Sequence, residues 1–246
     1  SDASGDKVDL HLPKVQEELI EKVTAVGKPT IVVLMAGSAI DLNYAQDNCN
    51  GILLAWYPGA RGGRAIADLL FGKESPSGKL PITFYKDLEG MPEFTDYSMK
   101  NRTYRYMEKE ALYPFGYGLT YSDTCVTEAE VVGEVSAESD IMLKATVKNN
   151  GTVDTDEVVQ VYIKDLDSLL AVRNYSLCGF KRVSLKAGEE KSVEFTISNK
   201  AMNIVDEDGN RYIAGKHFRL FAGVSQPDTR SAELTGHKPV EVEITL

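Results

Sequence analysis

Cysteine, histidine and tryptophan are scarce in this 246-residue chain, which holds three, three and one of them. Cys49, Cys125 and Cys178 are far apart and odd in number, so they form neither a disulfide framework nor the paired spacing of a metal site. Three ordinary thiols are expected. Nothing in them demands an oxidising compartment, and the cytoplasm is slightly favoured over secretion. His11, His217 and His237 are isolated from one another and no His-x-x-x-His spacing occurs, so no metal and no cofactor is expected. Asp206-Glu207-Asp208-Gly209-Asn210 looks like part of a calcium loop but lacks the downstream bidentate glutamate; a polar hairpin turn is expected there. No serine sits in a Gly-x-Ser-x-Gly elbow. Gly59-Ala60-Arg61-Gly62-Gly63 lacks the Gly-Lys-Ser/Thr ending of a phosphate loop and reads as a tight turn from strand to helix. No apolar run approaches the roughly 20 residues that span a bilayer. Positive charge is outnumbered, with 27 Lys and Arg against 37 Asp and Glu and a net charge of −10. Such a surface repels phosphate backbones, which argues against nucleic-acid binding.

The chain is 43% hydrophobic and 26% charged, a globular balance sufficient for two cores of roughly 100–150 residues each. The first half alternates helix and strand. Pro13 suits a first helical turn. Val15, Leu19, Ile20 and Val23 follow at helical spacing, and Gly27 closes the helix. Thr30-Ile31-Val32-Val33-Leu34-Met35 is a continuous apolar run that reads as a strand buried on both faces, as in a parallel sheet. A short mixed segment over 39–46 precedes a second such strand over 51–57. Residues 61–71 fit a helix with Ile66, Leu69 and Leu70 inward, and 80–84 fit another short strand. This succession predicts a layered α/β sandwich.

The second half, from about Cys125, shows no helix beyond a turn at 199–203. Alternating strands are expected over 141–147, 157–163, 191–197 and 217–224, separated by turns at Asn149-Asn150-Gly151 and Ala187-Gly188-Glu189. Several short strands over about 120 residues read as an immunoglobulin-like β-sandwich. The fold class is therefore α/β plus all-β, divided into an α/β part at 1–90, an aromatic-rich linker at 91–124 and a β-sandwich at 125–246. The linker carries Tyr97, Tyr104, Tyr106, Tyr113, Phe115, Tyr117 and Tyr121. Tyrosines bury a ring and keep a wet hydroxyl, so this segment is expected to lie across both domains and fix their orientation. The chain opens on a polar stretch running straight into a helix, with no preceding strand and no apolar leader. It is expected to be the back part of a larger protein. A sheet without its first strands leaves an edge and an apolar face uncovered, so the isolated chain is expected to dimerise or keep a partner.

Several motifs taken together resemble one family. Ser1 to Pro13 looks like its Gly-Asp loop and helix start, and Lys28-Pro29-Thr30 like its Gly-Lys-Pro strand. Trp56-Tyr57-Pro58-Gly59 with Gly62-Gly63, and Ala65-Ile66-Ala67-Asp68-Leu69-Leu70-Phe71-Gly72, are very similar. So are Pro76-Ser77-Gly78-Lys79-Leu80-Pro81 and Tyr113-Pro114-Phe115-Gly116-Tyr117-Gly118-Leu119-Thr120-Tyr121. Gly179-Phe180-Lys181-Arg182-Val183 and Ala214-Gly215-Lys216 match as well. The pattern is similar to the C-terminal half of a glycoside hydrolase of family 3, of the β-glucosidase or β-xylosidase type. The resemblance implies a later part of an α/β sandwich followed by a fibronectin type III-like domain. It also implies a preceding barrel domain that carries the nucleophilic aspartate.

Retaining hydrolysis needs two carboxyl groups about 5–5.5 Å apart across the sugar. By resemblance the nucleophile lies in the barrel and the acid/base glutamate just upstream of Ser1. No catalytic residue is then expected in this chain, Asp2 being the nearest weak candidate and Asp6 part of a turn that braces the helix. Arg102-Thr103-Tyr104-Arg105-Tyr106 is the remaining cluster of interest. Arginine and tyrosine suit sugar hydroxyls, which makes Arg102 and Tyr104 candidate substrate contacts, and they equally suit a clamp between domains. The leading reading is the C-terminal portion of a β-glycosidase acting on short β-linked gluco- or xylo-oligosaccharides, silent without its barrel. The rival is a non-catalytic sugar-binding or scaffolding module.

Overall fold

In a computed structural model, the structure describes residues 9–93 and 95–246. The α/β part begins with α1 (Lys14–Thr24), β1 (Ile31–Leu34), α2 (Asn43–Asn48), β2 (Gly51–Leu54) and α3 (Gly62–Leu70). The strands β1 and β2 pair in parallel, Ile31 opposite Gly51 and Leu34 opposite Leu54. Helix α1 starts directly after Pro13, whose fixed φ is pre-set for a helix entry. The turn into α3 occupies the glycine-rich run after Pro58, as expected. Next come β3 (Phe84–Tyr85), α4 (Thr103–Tyr106) and β4 (Ala111–Tyr113), with β3 and β4 antiparallel. The strand expected over 80–84 is thus only its last residue plus Tyr85. Leu80 instead exchanges backbone hydrogen bonds with Gly116 and Tyr117, in an extended pairing too short to count as a ladder.

The β-sandwich comprises β5 (Thr124–Val132), β6 (Ile141–Asn149), β7 (Thr155–Asp165), β8 (Ser176–Leu185), β9 (Glu190–Ile197), β10 (Asn203–Val205), β11 (Arg211–Ile213), β12 (His217–Gly223) and β13 (Val240–Thr245). A 3₁₀ turn covers Asn199–Met202, and α5 (Thr229–Thr235) interrupts the last two strands. One sheet runs β5-β6-β9 and the other β13-β12-β7-β8, antiparallel throughout. Their inner faces meet in one core that includes Leu143, Val147, Val159, Val161, Phe195, Phe218 and Leu220, all essentially buried. Burial in β6 alternates strictly, inner residues buried and outer ones wetter, as one covered face requires. The expected hairpin turn at 206–210 joins β10 to β11, where Asp206 accepts the amide of Asn210 at 2.8 Å.

Two expectations are corrected. The second half does contain a helix, α5: Asp228 caps it by accepting the Ser231 amide at 2.7 Å, and Gly236 ends it in the left-handed region. Seven residues are too few to show a helical stripe. The strand β1 is not buried on both faces, and its outer side lies open like the apolar stripe of α1. Val15, Leu19 and Val23 are exposed, α1 has no buried residue, and Ile31 and Met35 lie open. Two parallel strands are too narrow a sheet to be covered on both faces.

Candidate functional site

The described residues of greatest chemical interest gather where the linker crosses from one domain to the other. The outer face of β7 should be wet by the alternation rule, yet Gln160 and Tyr162 are buried there as fully as the inward Val159 and Val161. The linker covers them. Tyr104, from α4, stacks on Phe115 with ring centres 4.3 Å apart and meets Tyr162 edge-on at 6.1 Å. Tyr162 in turn packs edge-on against Tyr175, and Tyr175 against Phe221. The Tyr162 hydroxyl donates to Gln160 Oε1 at 2.6 Å, and Gln160 Nε2 donates to the carbonyls of Gly116 and Val224. Burial pushes the phenols of Tyr104, Tyr162 and Tyr175 up, so each stays a neutral donor or acceptor.

The glycines of the Gly116-Tyr117-Gly118 motif owe their place to this seam. Gly116 is left-handed at φ +78, and an added Cβ would lie 2.3 Å from Gln160 Oε1. A Cβ on Gly118 would lie 2.1 Å from the backbone oxygen of Gly78. Beside them, Lys79 donates to the Gly118 carbonyl at 2.6 Å and pairs with Glu157 at 2.8 Å. The Lys79 and Glu157 side chains are 8% and 1% exposed. Glu157 also accepts from Thr124 Oγ1 and from the Val158 amide, both at 2.6 Å. Among the described residues Glu157 is the buried carboxylate, and both of its oxygens are engaged. It is a latch across the seam, not a free acid or base. From the other side, Arg230 on α5 reaches the Leu112 carbonyl at 3.4 Å, and Leu234 packs into the core of the α/β part.

Ahead of α4 the linker forms a loop with unusual backbone. Met99, Asn101 and Thr103 all have positive φ, at 63, 57 and 54. None is glycine and Thr103 is β-branched, so each carries strain of about 1–3 kcal/mol that the surroundings must hold. Arg102 supplies much of that hold. Its Nη2 donates to the carbonyls of Glu93 at 2.8 Å, Asp96 at 3.2 Å and Pro92 at 3.4 Å. The Thr103 amide donates to the Tyr85 hydroxyl at 3.1 Å. The amide and hydroxyl of Ser98 beside Asp96 hold that carboxyl below its usual range. A recess between this loop and Lys109 has a volume near 30 Å³, room for water and far short of the roughly 300 Å³ of a ligand pocket.

The sequence-derived candidates thus fall in three places. Asp2, with Asp6, lies outside the described residues. Arg102 ties down the strained loop. Tyr104 lies within the aromatic seam, with its hydroxyl accepting the Leu177 amide at 3.0 Å. Arg102 and Tyr104, two residues apart, are turned to different tasks. Sequence reasoning did not single out Lys79, Glu157, Gln160, Tyr162 or Arg230. The available signal was polar and aromatic residues at alternate positions of a strong apolar strand, which marks a second covered face as well as a wet one. Among the described residues no group of three His, Cys, Asp or Glu is disposed to hold a metal, and no helix is long and apolar enough to cross a membrane.

Residues 1–121 match the glycosyl hydrolase family 3 C-terminal domain, and residues 157–226 match a fibronectin type III-like domain. The chain belongs to glycoside hydrolase family 3. A xylan 1,4-β-xylosidase of Xylanibacter ruminicola is 40% identical over 234 residues, which cover 94% of this chain and 27% of that protein. A β-glucosidase structure from Erythrobacter marinus superposes with a TM-score of 0.84 at 32% identity, over 100% of this chain and 32% of that one. The family 3 β-glucosidase of Bifidobacterium adolescentis superposes with a TM-score of 0.84 at 29% identity, over 100% of this chain and 37% of that one. The family 3 chain described here therefore spans about a third of the length of these relatives. The matched segments correspond to the α/β part with its linker and to the middle of the β-sandwich, so the fold class read from the sequence stands.

Proposed function

We propose that this chain is the C-terminal portion of a retaining β-glycosidase acting on short β-linked gluco- or xylo-oligosaccharides. The observation that carries the reading is the 40% identity to a xylan 1,4-β-xylosidase, which runs through both domains and covers 94% of the chain. A retaining reaction uses one carboxylate to attack the anomeric carbon and a second carboxyl group to protonate the leaving oxygen and then activate water. In this reading neither group is among the described residues. The barrel supplies the nucleophile, and the glutamate precedes Ser1. The part of the chain described here supplies support: a rigid pair of domains joined across Lys79, Glu157 and Gln160, and a loop pinned by Arg102 at one edge of the assembly. Arg102 serves the substrate indirectly by fixing that loop, and Tyr104 by packing in the seam between the domains. The exposed stripe of Val15, Leu19 and Val23 is the face on which the rest of the enzyme packs.

The test is reconstitution. This chain, assayed on a chromogenic β-xyloside and β-glucoside, is expected to be silent, and joining it to the barrel portion of its enzyme is expected to give turnover. No gain with the barrel present contradicts the proposal. Binding of xylo- or cello-oligosaccharides by the isolated chain at millimolar concentration or better favours a sugar-binding module instead.

A further inference from the structure

The turn between β7 and β8 presents an unusual surface. Leu169 is completely exposed, and Leu166 and Leu170 are 41% and 49% exposed. Exposed leucines on a loose loop need no explanation, but this turn is tightly built. Asp165 Oδ1 accepts the amides of Asp167 and Ser168 at 2.9 and 3.0 Å. The Ser168 hydroxyl accepts the Leu170 amide, and its carbonyl accepts that of Ala171. Asp167 anchors the base of the turn by accepting the amides of Lys216 and His217 at 2.8 and 2.9 Å. On its far side Asn174 donates to the carbonyls of Tyr104 and Met107, and Arg173 pairs with Glu108 at 3.4 Å. A fixed framework therefore holds three leucines out into water, bolted to the segment just after the strained Arg102 loop. Order of this kind lowers the conformational cost of docking.

We infer that this leucine knob docks onto the barrel portion of the same enzyme, so that the fibronectin-like domain contacts the catalytic domain directly as well as through the linker. The inference rests on the proposed function. Area decides the occupant. The three leucines offer on the order of 400 Å² against the roughly 800 Å² per partner that a standard interface buries. That is too little to hold a second copy from solution. It is enough for a domain already tethered, because tethering supplies a high effective concentration. Relatives 27–37% covered by this chain have ample polypeptide to receive it.

The test places a cysteine at the tip, Leu169→Cys, in the isolated chain and in the complete enzyme, and follows maleimide labelling at that position by peptide mass. Peptide mass separates position 169 from the native thiols Cys49, Cys125 and Cys178. Labelling in the complete enzyme is expected to be roughly tenfold slower or more than in the isolated chain, at every protein concentration. Equal rates overturn the inference. Protection that appears only as concentration rises, together with a dimer by light scattering, also overturns it and assigns the knob to a second copy. A Leu169→Asp variant is a second check: it lowers the melting temperature of the complete enzyme and leaves that of the isolated chain unchanged. Hydrolysis assayed on the same enzyme separates the two claims, because an inactive but protected enzyme refutes the proposed function and not the contact.

Discussion

Replacing Lys79 by methionine removes the positive end of the ion pair across the seam and keeps the stem. Glu157, 1% exposed, is left with the Thr124 hydroxyl and the Val158 amide, and the Gly118 carbonyl loses its donor. Breaking a buried pair by removing one partner costs about 3–5 kcal/mol, because the remaining charge cannot return to water. For a chain of this size that lowers the melting temperature by roughly 6–20 °C. The assay is urea unfolding followed by circular dichroism and by tyrosine and Trp56 fluorescence, with slopes compared to confirm that only stability has changed. The double variant Lys79→Met with Glu157→Leu decides the mechanism. Replacing both partners with apolar groups is often close to neutral, so the double variant is expected to be more stable than Lys79→Met alone. A cost below about 1 kcal/mol for the single variant, or a double variant whose loss equals the sum of the two singles, refutes the argument. Because the latch joins both domains, the native chain is expected to unfold in one transition by all probes. Two separated transitions would show that the seam does not couple them.

Three further outcomes follow from the same geometry. Gly118→Ala forces a Cβ against the Gly78 backbone oxygen and is expected to cost about 2–4 kcal/mol in thermal unfolding, more than an exposed-turn change; a loss within 0.5 kcal/mol, the range of ordinary surface changes, would sink the close-contact reading. Tyr162→Phe leaves Gln160 Oε1 buried without its donor and is expected to cost about 1–3 kcal/mol by denaturant titration, and an unchanged midpoint would contradict it. The Lys216 and His217 amides, then the His217 ring, hold the Asp167 carboxyl below its usual range. A group with a depressed folded value contributes stability that is present above its unfolded value and lost as pH falls through the folded one. Asp167→Asn should therefore be less stable than the native chain near neutrality, and the gap should close as pH drops below about 4. A gap that stays constant with pH would refute this.

What was legible in the sequence was whatever depended on local pattern. Val15, Leu19, Ile20 and Val23 between Pro13 and Gly27 mark α1, and the β-branched run at 31–34 marks β1. The strands β6 and β9 follow their alternation closely, and β7 and β12 are marked by their apolar runs although parts of both their faces are buried. Other strands escape for identifiable reasons. In β5 a bulge between Val126 and Glu128 breaks the two-residue period. In β8, Gly179 and the exposed Phe180 blur it. The alternation of Val240, Val242 and Ile244 in β13 is plain, and the short helix before it hides the strand in a stretch that reads as loop. The seam was out of reach for a deeper reason. Gln160 looks like an outward strand residue until a second domain is laid over it, Glu157 stands on the inward face at the end of the sandwich core, and which domain covers a face is not a local property. The aromatic linker did signal a tie between domains, through Tyr104 and Phe115. The left-handed backbone at Met99 and Thr103 had no signal, and at Asn101 only the mild preference of asparagine for that region.

The most direct measurement of the account is hydrolysis of a chromogenic β-xyloside and β-glucoside by the purified chain, with intact mass recorded on the same sample. The account predicts no turnover from a single species of 27.1 kDa and turnover once the barrel portion is joined. Turnover by that single species alone would place the catalytic carboxylates within this chain, make Asp2 the first residue to replace, and contradict the account.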